Sequence, residues 1–242
     1  MSSWTVTTHG KIPKLHQPIF IEGLPGIGNV GKIAVDFIVD ELKAQKLYSF
    51  YSPKFPHTVF VNENNLVELP KVDMYYKAFE DHGKQDFLFL VGDIQPIDEE
   101  SCHTFCMEIV ARLKKLKCPE MVTTGGIGLQ HIPDRPRIYC TGNSKELVQK
   151  YIQQGGIEKQ IYGVVGPIMG VSGLLIGNAA RVNIPGVALL AETFAHPLYV
   201  GIKGAKELLK ILNQRFAFGV DIKRVSEEIN NLEEEMMKRA EM

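Results

Sequence analysis

The chain has 242 residues, 45% of them hydrophobic and 23% charged, with 27 Lys plus Arg against 28 Asp plus Glu and a net charge of -1. Such a composition can bury a core and excludes a disordered polar chain; without a long basic stripe interleaved with aromatics, no nucleic-acid partner is expected. Apolar runs stop far short of the roughly 20 residues a bilayer span needs, and Met1-Ser2-Ser3-Trp4-Thr5 shows no basic-then-apolar leader, so no membrane partner is expected and the cytoplasm is the expected location. Cys102, Cys106, Cys118 and Cys140 are too few and too scattered for a disulfide framework.

Ile19-Phe20-Ile21-Glu22, the glycine-rich run Gly23 to Lys32, and Ile33, Ala34, Phe37, Ile38 and Leu42 at helical spacing predict strand, tight loop and helix. Leu47 to Tyr51 is the next strand candidate. Thr58 to Val61 and Leu66 to Leu69 flank Asn62-Glu63-Asn64-Asn65 and predict a hairpin that makes the sheet mixed. Phe87 to Gly92 is apolar on both strand faces and predicts a central strand. Asp98 is placed to cap a helix reaching Leu116, followed by a strand from Met121 to Gly126. Arg137 to Thr141 predicts a strand. Asn143 and Glu146 approximate a capping box opening a helix to about Gln154. A strand at Ile161 to Val165, a helix from Val171 to Arg181 and a strand at Gly186 to Leu190 complete the alternation. Together these elements predict an α/β layered fold with a mostly parallel mixed sheet, spanning residues 1–212.

Residues 213–242 read as a C-terminal helical extension. Ile222, Val225, Ile229, Leu232 and Met236 repeat at intervals of 3, 4, 3 and 4, an a/d stripe expected to contact a second copy or another partner.

Gly26, Gly28 and Gly31 match GxGxxG between strand and helix, the arrangement that holds a pyrophosphate on a helix N-terminus. Gly23-Leu24-Pro25 intervenes between strand and motif, however, and Leu47 to Tyr51 carries no acid for a ribose hydroxyl. Gly26 to Lys32 also spells GxxxxGK, but Ile33 stands where a Mg²⁺-binding Ser or Thr belongs. The preferred reading is a structural loop built by Gly23, Pro25, Gly26, Gly28, Asn29 and Gly31, with a nucleotide- or phosphate-binding enzyme as the alternative.

The remaining constellations are incomplete. Ser172 lacks the second glycine of a nucleophile elbow, because Leu174 occupies that place, and Gly173 and Gly177 read as a small-residue packing face. Glu192 with His196, and His131 with Asp134, lack a matched nucleophile or electrophile. Cys102, His103 and Cys106 lack further ligands at metal spacing. No catalytic residue, metal or cofactor is expected.

Glu22 to Lys32, Gly92-Asp93, Thr124-Gly125-Gly126 and Gly163 to Gly170, in that order between Ile19 and Leu212, resemble the proteasome assembly chaperone family in its archaeal form. The resemblance implies a nucleoside-phosphorylase-like α/β/α sandwich, a non-enzymatic role and self-association into a homo-oligomer, with proteasome subunits or another protein as client. Family members that dock by their tail are expected to end in a hydrophobic residue, Tyr and any residue. Ala240-Glu241-Met242 departs from that pattern, so docking through the tail end is not expected.

Overall fold

The computed structural model describes residues 4–80, 84–163 and 165–221. Its strands are β1 (Thr5–Thr8), β2 (Ile19–Gly23), β3 (Gln45–Tyr51), β4 (Phe60–Val61), β5 (Val67–Glu68), β6 (Val72–Lys77), β7 (Phe87–Gly92), β8 (Met121–Leu129), β9 (Ile138–Gly142) and β10 (Gly186–Phe194). The helices are α1 (Val30–Glu41), α2 (Glu99–Lys115), α3 (Lys145–Gln153), α4 (Val171–Ala180) and α5 (Ile202–Phe216).

Eight strands form one sheet in the order β1-β3-β6-β7-β2-β8-β10-β9. The four middle strands, β7, β2, β8 and β10, run parallel. β6, β3 and β1 extend the sheet antiparallel beyond β7, and β9 does so beyond β10. Four of the seven neighbouring pairs are thus antiparallel, which corrects the mostly parallel sheet expected from the sequence. A parallel pair needs a long crossover, whereas β3, β6 and β7 follow one another with no helix between them.

β2 and β7 are buried along their whole length, and strand alternation divides their side chains between two cores. Ile19, Ile21, Phe87 and Phe89 pack with Val35 and Ile38 of α1, Leu147 and Tyr151 of α3, and Leu208 and Leu212 of α5. Phe20, Leu88 and Leu90 pack with Phe105 and Ile109 of α2 and with Leu175 and Ala179 of α4. The result is three layers. The body reaches past residue 212, because Phe216 and Phe218 set their ring centroids 5.4 and 4.7 Å from Phe87 and Val220 is buried in the same core.

Several local expectations change. β4 and β5 do pair, but as a separate two-stranded ribbon, so the antiparallel strands of the main sheet lie elsewhere. Asp98 caps α2 as expected, its side chain accepting from the Ser101 amide. α3 is capped by Ser144, whose Oγ accepts from the Leu147 amide at 3.2 Å. Asn143 instead donates to the Ile176 and Ile184 carbonyls and accepts from the Gly186 amide at 2.8 Å, tying this turn to α4 and β10. The described part of Ile161 to Val165 forms only an isolated bridge between Tyr162 and Val165.

Candidate functional site

The glycine loop joins β2 to α1 where the carboxyl ends of the parallel strands meet. A Cβ on Gly23 would stand 2.5 Å from the Val35 Cβ, and one on Gly31 2.3 Å from Thr124 Oγ1 and 2.8 Å from its carbonyl. At those two points α1 lies directly on the sheet. Gly28 has φ +63, accepts from the Gly201 amide at 2.7 Å, and faces Thr193, whose Oγ1 would be 2.6 Å from an added Cβ. Pro25 accepts from Gln95 Nε2 at 2.7 Å, and the Asn29 amide donates to Gly26 at 3.0 Å. Gly26 is extended and faces open space. Val30 and Gly31, the first turn of α1, are buried, and Lys32 pairs with Asp36 of its own helix at 2.7 Å. β8, β10 and the start of α5 therefore pack closely against this helix end.

Glu22, at the end of β2, is fully buried. Its Oε1 accepts from the Leu24 amide at 2.9 Å and its Oε2 from the Thr124 amide at 3.4 Å, with the Ser172 hydroxyl as a further partner. Burial pushes its carboxyl up to about 7, against the lowering effect of these hydrogen bonds. Ser172, the second residue of α4, also donates to the Thr124 carbonyl at 3.3 Å. Of the two glycines expected to give α4 a packing face, Gly173 approaches the Ile168 carbonyl closely while Gly177 faces open space.

Glu192 and His196 have different partners. Glu192 is buried and takes the Arg137 amide at 3.0 Å, its Nε at 2.8 Å and the Tyr139 hydroxyl at 3.3 Å. Burial alone would raise its pKa, yet the Arg137 hydrogen bonds and charge hold it below the usual carboxylate value. His196 instead stacks on Phe194, with ring centroids 5.6 Å apart. His131 and Asp134 are exposed on the loop after β8. Cys102 and Cys106 are buried, donating to the Pro96 and Val171 carbonyls, whereas His103 is exposed. Among the described residues no group of three or more His, Cys, Asp or Glu is arranged to hold a metal ion.

The same end of the sheet carries large apolar side chains in water. Ile27, Ile97, Ile132 and Leu198 lie on the loops after β2, β7, β8 and β10, and Met169 lies beside Ile97 in the cleft before α4. Met169 is 83% and Leu198 86% exposed, the kind of apolar exposure that marks contact surfaces and binding grooves. The rim escaped sequence reading because a lone Ile or Met on a loop carries no periodic signal. The stripe Ile222, Val225, Ile229, Leu232 and Met236 lies outside the described residues.

Comparison with known proteins agrees with this picture. The structure is similar to that of Pyrococcus furiosus PbaB, described as an archaeal proteasome activator, with TM-score 0.88 and 30% identity over 100% of both chains. It is also similar to P. furiosus PbaA, described as an archaeal homolog of proteasome-assembly chaperone, with TM-score 0.78 and 25% identity over 98% of this chain and 92% of the other. An uncharacterized protein of Methanocaldococcus jannaschii is 27% identical over 241 residues, covering 95% of this chain and 90% of the relative. A model of the PAC2 family matches residues 20–240, from β2 and its glycine loop through every later element, and the chain belongs to that family.

Proposed function

We propose that this protein is a non-enzymatic, homo-oligomeric assembly chaperone or adaptor that works through protein contacts, with proteasome subunits as its client. The observation that carries the reading is the carboxyl end of the parallel strands. There Gly23, Gly28 and Gly31 of the glycine loop lie close against Val35, Thr193 and Thr124, and the surrounding loops hold apolar side chains in water. An enzyme of this architecture would keep that end open for its ligand, with a few convergent polar groups to orient it. The likeness to PbaB and PbaA supports the proteasome as the destination. The three layers support the nucleoside-phosphorylase-like description of the fold. A cytoplasmic site of action belongs to the same proposal and is supported by four buried, free cysteines.

We divide the chain functionally into the α/β body and a C-terminal extension, and we place the junction after Val220 because Phe216, Phe218 and Val220 pack with the body. The stripe Ile222, Val225, Ile229, Leu232 and Met236 is assigned to partner contact. Light scattering on the purified protein, alone and mixed with proteasome α subunits, is expected to show a defined oligomer whose mass rises on mixing. Replacing Ile229 and Leu232 with Asp is expected to abolish the rise while the protein stays folded. An unchanged mass on mixing would count against the proteasome as client. Stabilisation by ATP or phosphate, which reaches about 2.7 kcal/mol at 100 times the dissociation constant, would favour a ligand-binding enzyme instead.

A further inference from the structure

The ribbon formed by β4 and β5 stands apart from the main sheet. Val61 pairs with Val67 and Phe60 with Glu68, and among the described residues no further strand continues the ribbon on either side. Its shape is set by turn chemistry rather than by a core. Asn62 Oδ1 accepts from the Asn64 and Leu66 amides, each at 3.0 Å, Asn62 Nδ2 donates to Glu68 at 2.8 Å, and Asn65 adopts φ +59. A lone two-stranded ribbon is marginal in water. This one also exposes Val59, Phe60, Val61, Leu66, Val67 and Leu69, by 44% at Phe60 and 70% at Val67. Neighbouring residues on a strand point to opposite faces, so apolar side chains meet water on both sides of the arm.

Beside the root of the arm lies an apolar groove of about 370 Å³, lined by Tyr51, Phe55, Pro56, Leu69 and Pro70 among others. A protruding arm next to a groove of like chemistry is self-complementary. In an isologous pair, a two-fold axis between arm and groove would set each arm against the groove of the other copy. The charges permit like surfaces to meet, since Glu68 pairs with Lys71 and Lys54 pairs with Glu100. Five large side chains more than half uncovered, together with Phe60, offer each copy an apolar area on the order of several hundred Å², against the about 800 Å² per partner of a standard interface.

We propose that two copies of this protein associate by reciprocal exchange of the β4–β5 arm into the Tyr51–Pro70 groove. This rests on the homo-oligomeric reading above and assigns a surface to it. In the full-length protein, Val61→Asp with Val67→Asp is expected to lower the mass seen by light scattering at least two-fold. Tyr51→Asp with His57→Asp, on the groove, is expected to do the same. All four positions are exposed, and an unchanged thermal unfolding midpoint verifies that the fold is intact. Mixing the two variants is expected to restore a heavier species, because the intact arm of one meets the intact groove of the other.

An arm variant that keeps the wild-type mass overturns the proposal while leaving the oligomeric reading standing. An arm variant that keeps its mass but no longer binds α subunits overturns it in favour of a client seat. Arm and groove variants that each dissociate but fail to complement also overturn it, since the contact is then not an exchange. A wild-type protein that is monomeric at every concentration overturns the oligomeric reading itself.

Discussion

At the scale of single residues, neighbouring glycines of one loop carry different constraints. Gly31 has no room for a methyl group because Thr124 holds both its hydroxyl and its backbone against the helix, whereas Gly26 is extended in open space. Gly31→Ala is therefore expected to cost about 1–3 kcal/mol through overpacking, with Gly26→Ala close to neutral, as read from urea unfolding. Glu22 supplies a pH signature. Its carboxyl titrates near 7 when folded and near 4.5 when free, so the folded state holds the proton more tightly. The stability it contributes is fully present below about pH 4.5 and is lost as pH rises through about 7, a change on the order of 3 kcal/mol. Glu22→Gln is expected to flatten this component, measured as the difference in urea midpoint between pH 5 and pH 8. A wild-type midpoint that rises over that range in a Glu22-dependent way would contradict the assignment.

At the scale of elements, the turn between β9 and α3 shows two polar residues with different reach. Ser144 serves only its own helix, so Ser144→Ala is expected to cost about 1 kcal/mol, the usual loss of an N-cap. Asn143 makes three hydrogen bonds that join β9, the carboxyl half of α4 and the start of β10. Asn143→Ala leaves buried carbonyls and an amide without partners. It is expected to cost more than Ser144→Ala and to loosen β10 first, which hydrogen exchange at Gly186 and Val187 would report. The β4–β5 arm presents the opposite arrangement, a well-made turn carrying strands whose apolar side chains are largely exposed. An element of this kind persists by covering its faces with something else, hence the arm exchange inferred above.

At the scale of the whole molecule, the parallel centre of the sheet and its antiparallel flanks divide the labour. β2 and β7 send alternate side chains into two separate cores, which fixes α1, α3 and α5 on one face and α2 and α4 on the other. The crossovers leave four loops at one end of the sheet, and these loops carry Ile27, Ile97, Ile132 and Leu198 into water. The proposed chaperone activity depends on this division. In that proposal the α/β body holds an apolar rim at one end and a side arm for a second copy, and the chain after Val220 is assigned to partner contact. The mass measurement on mixing with α subunits belongs to this scale, because it reads the assembled particle rather than any one contact.

The sequence by itself determined what depends on neighbours in the chain. The buried run Phe87 to Gly92, the α1 periodicity after the glycines, the Asp98 cap and the turn at Asn62 to Asn65 all answer to local geometry and lie where the pattern put them. The tertiary structure alone decided what depends on distant partners. The direction of β6 beside β7 follows from packing, since a strand reads the same in either sense. Val72–Lys77 was not legible as a strand, because Val72, Asp73 and Met74 alternate for only three residues before the paired tyrosines. Gly31 against Thr124, Glu192 against Arg137, and the exposure of both ribbon faces join residues tens of positions apart or concern surface left uncovered. Side-chain burial and pairing are properties of the folded whole, set by which surfaces the chain has left after its cores are filled.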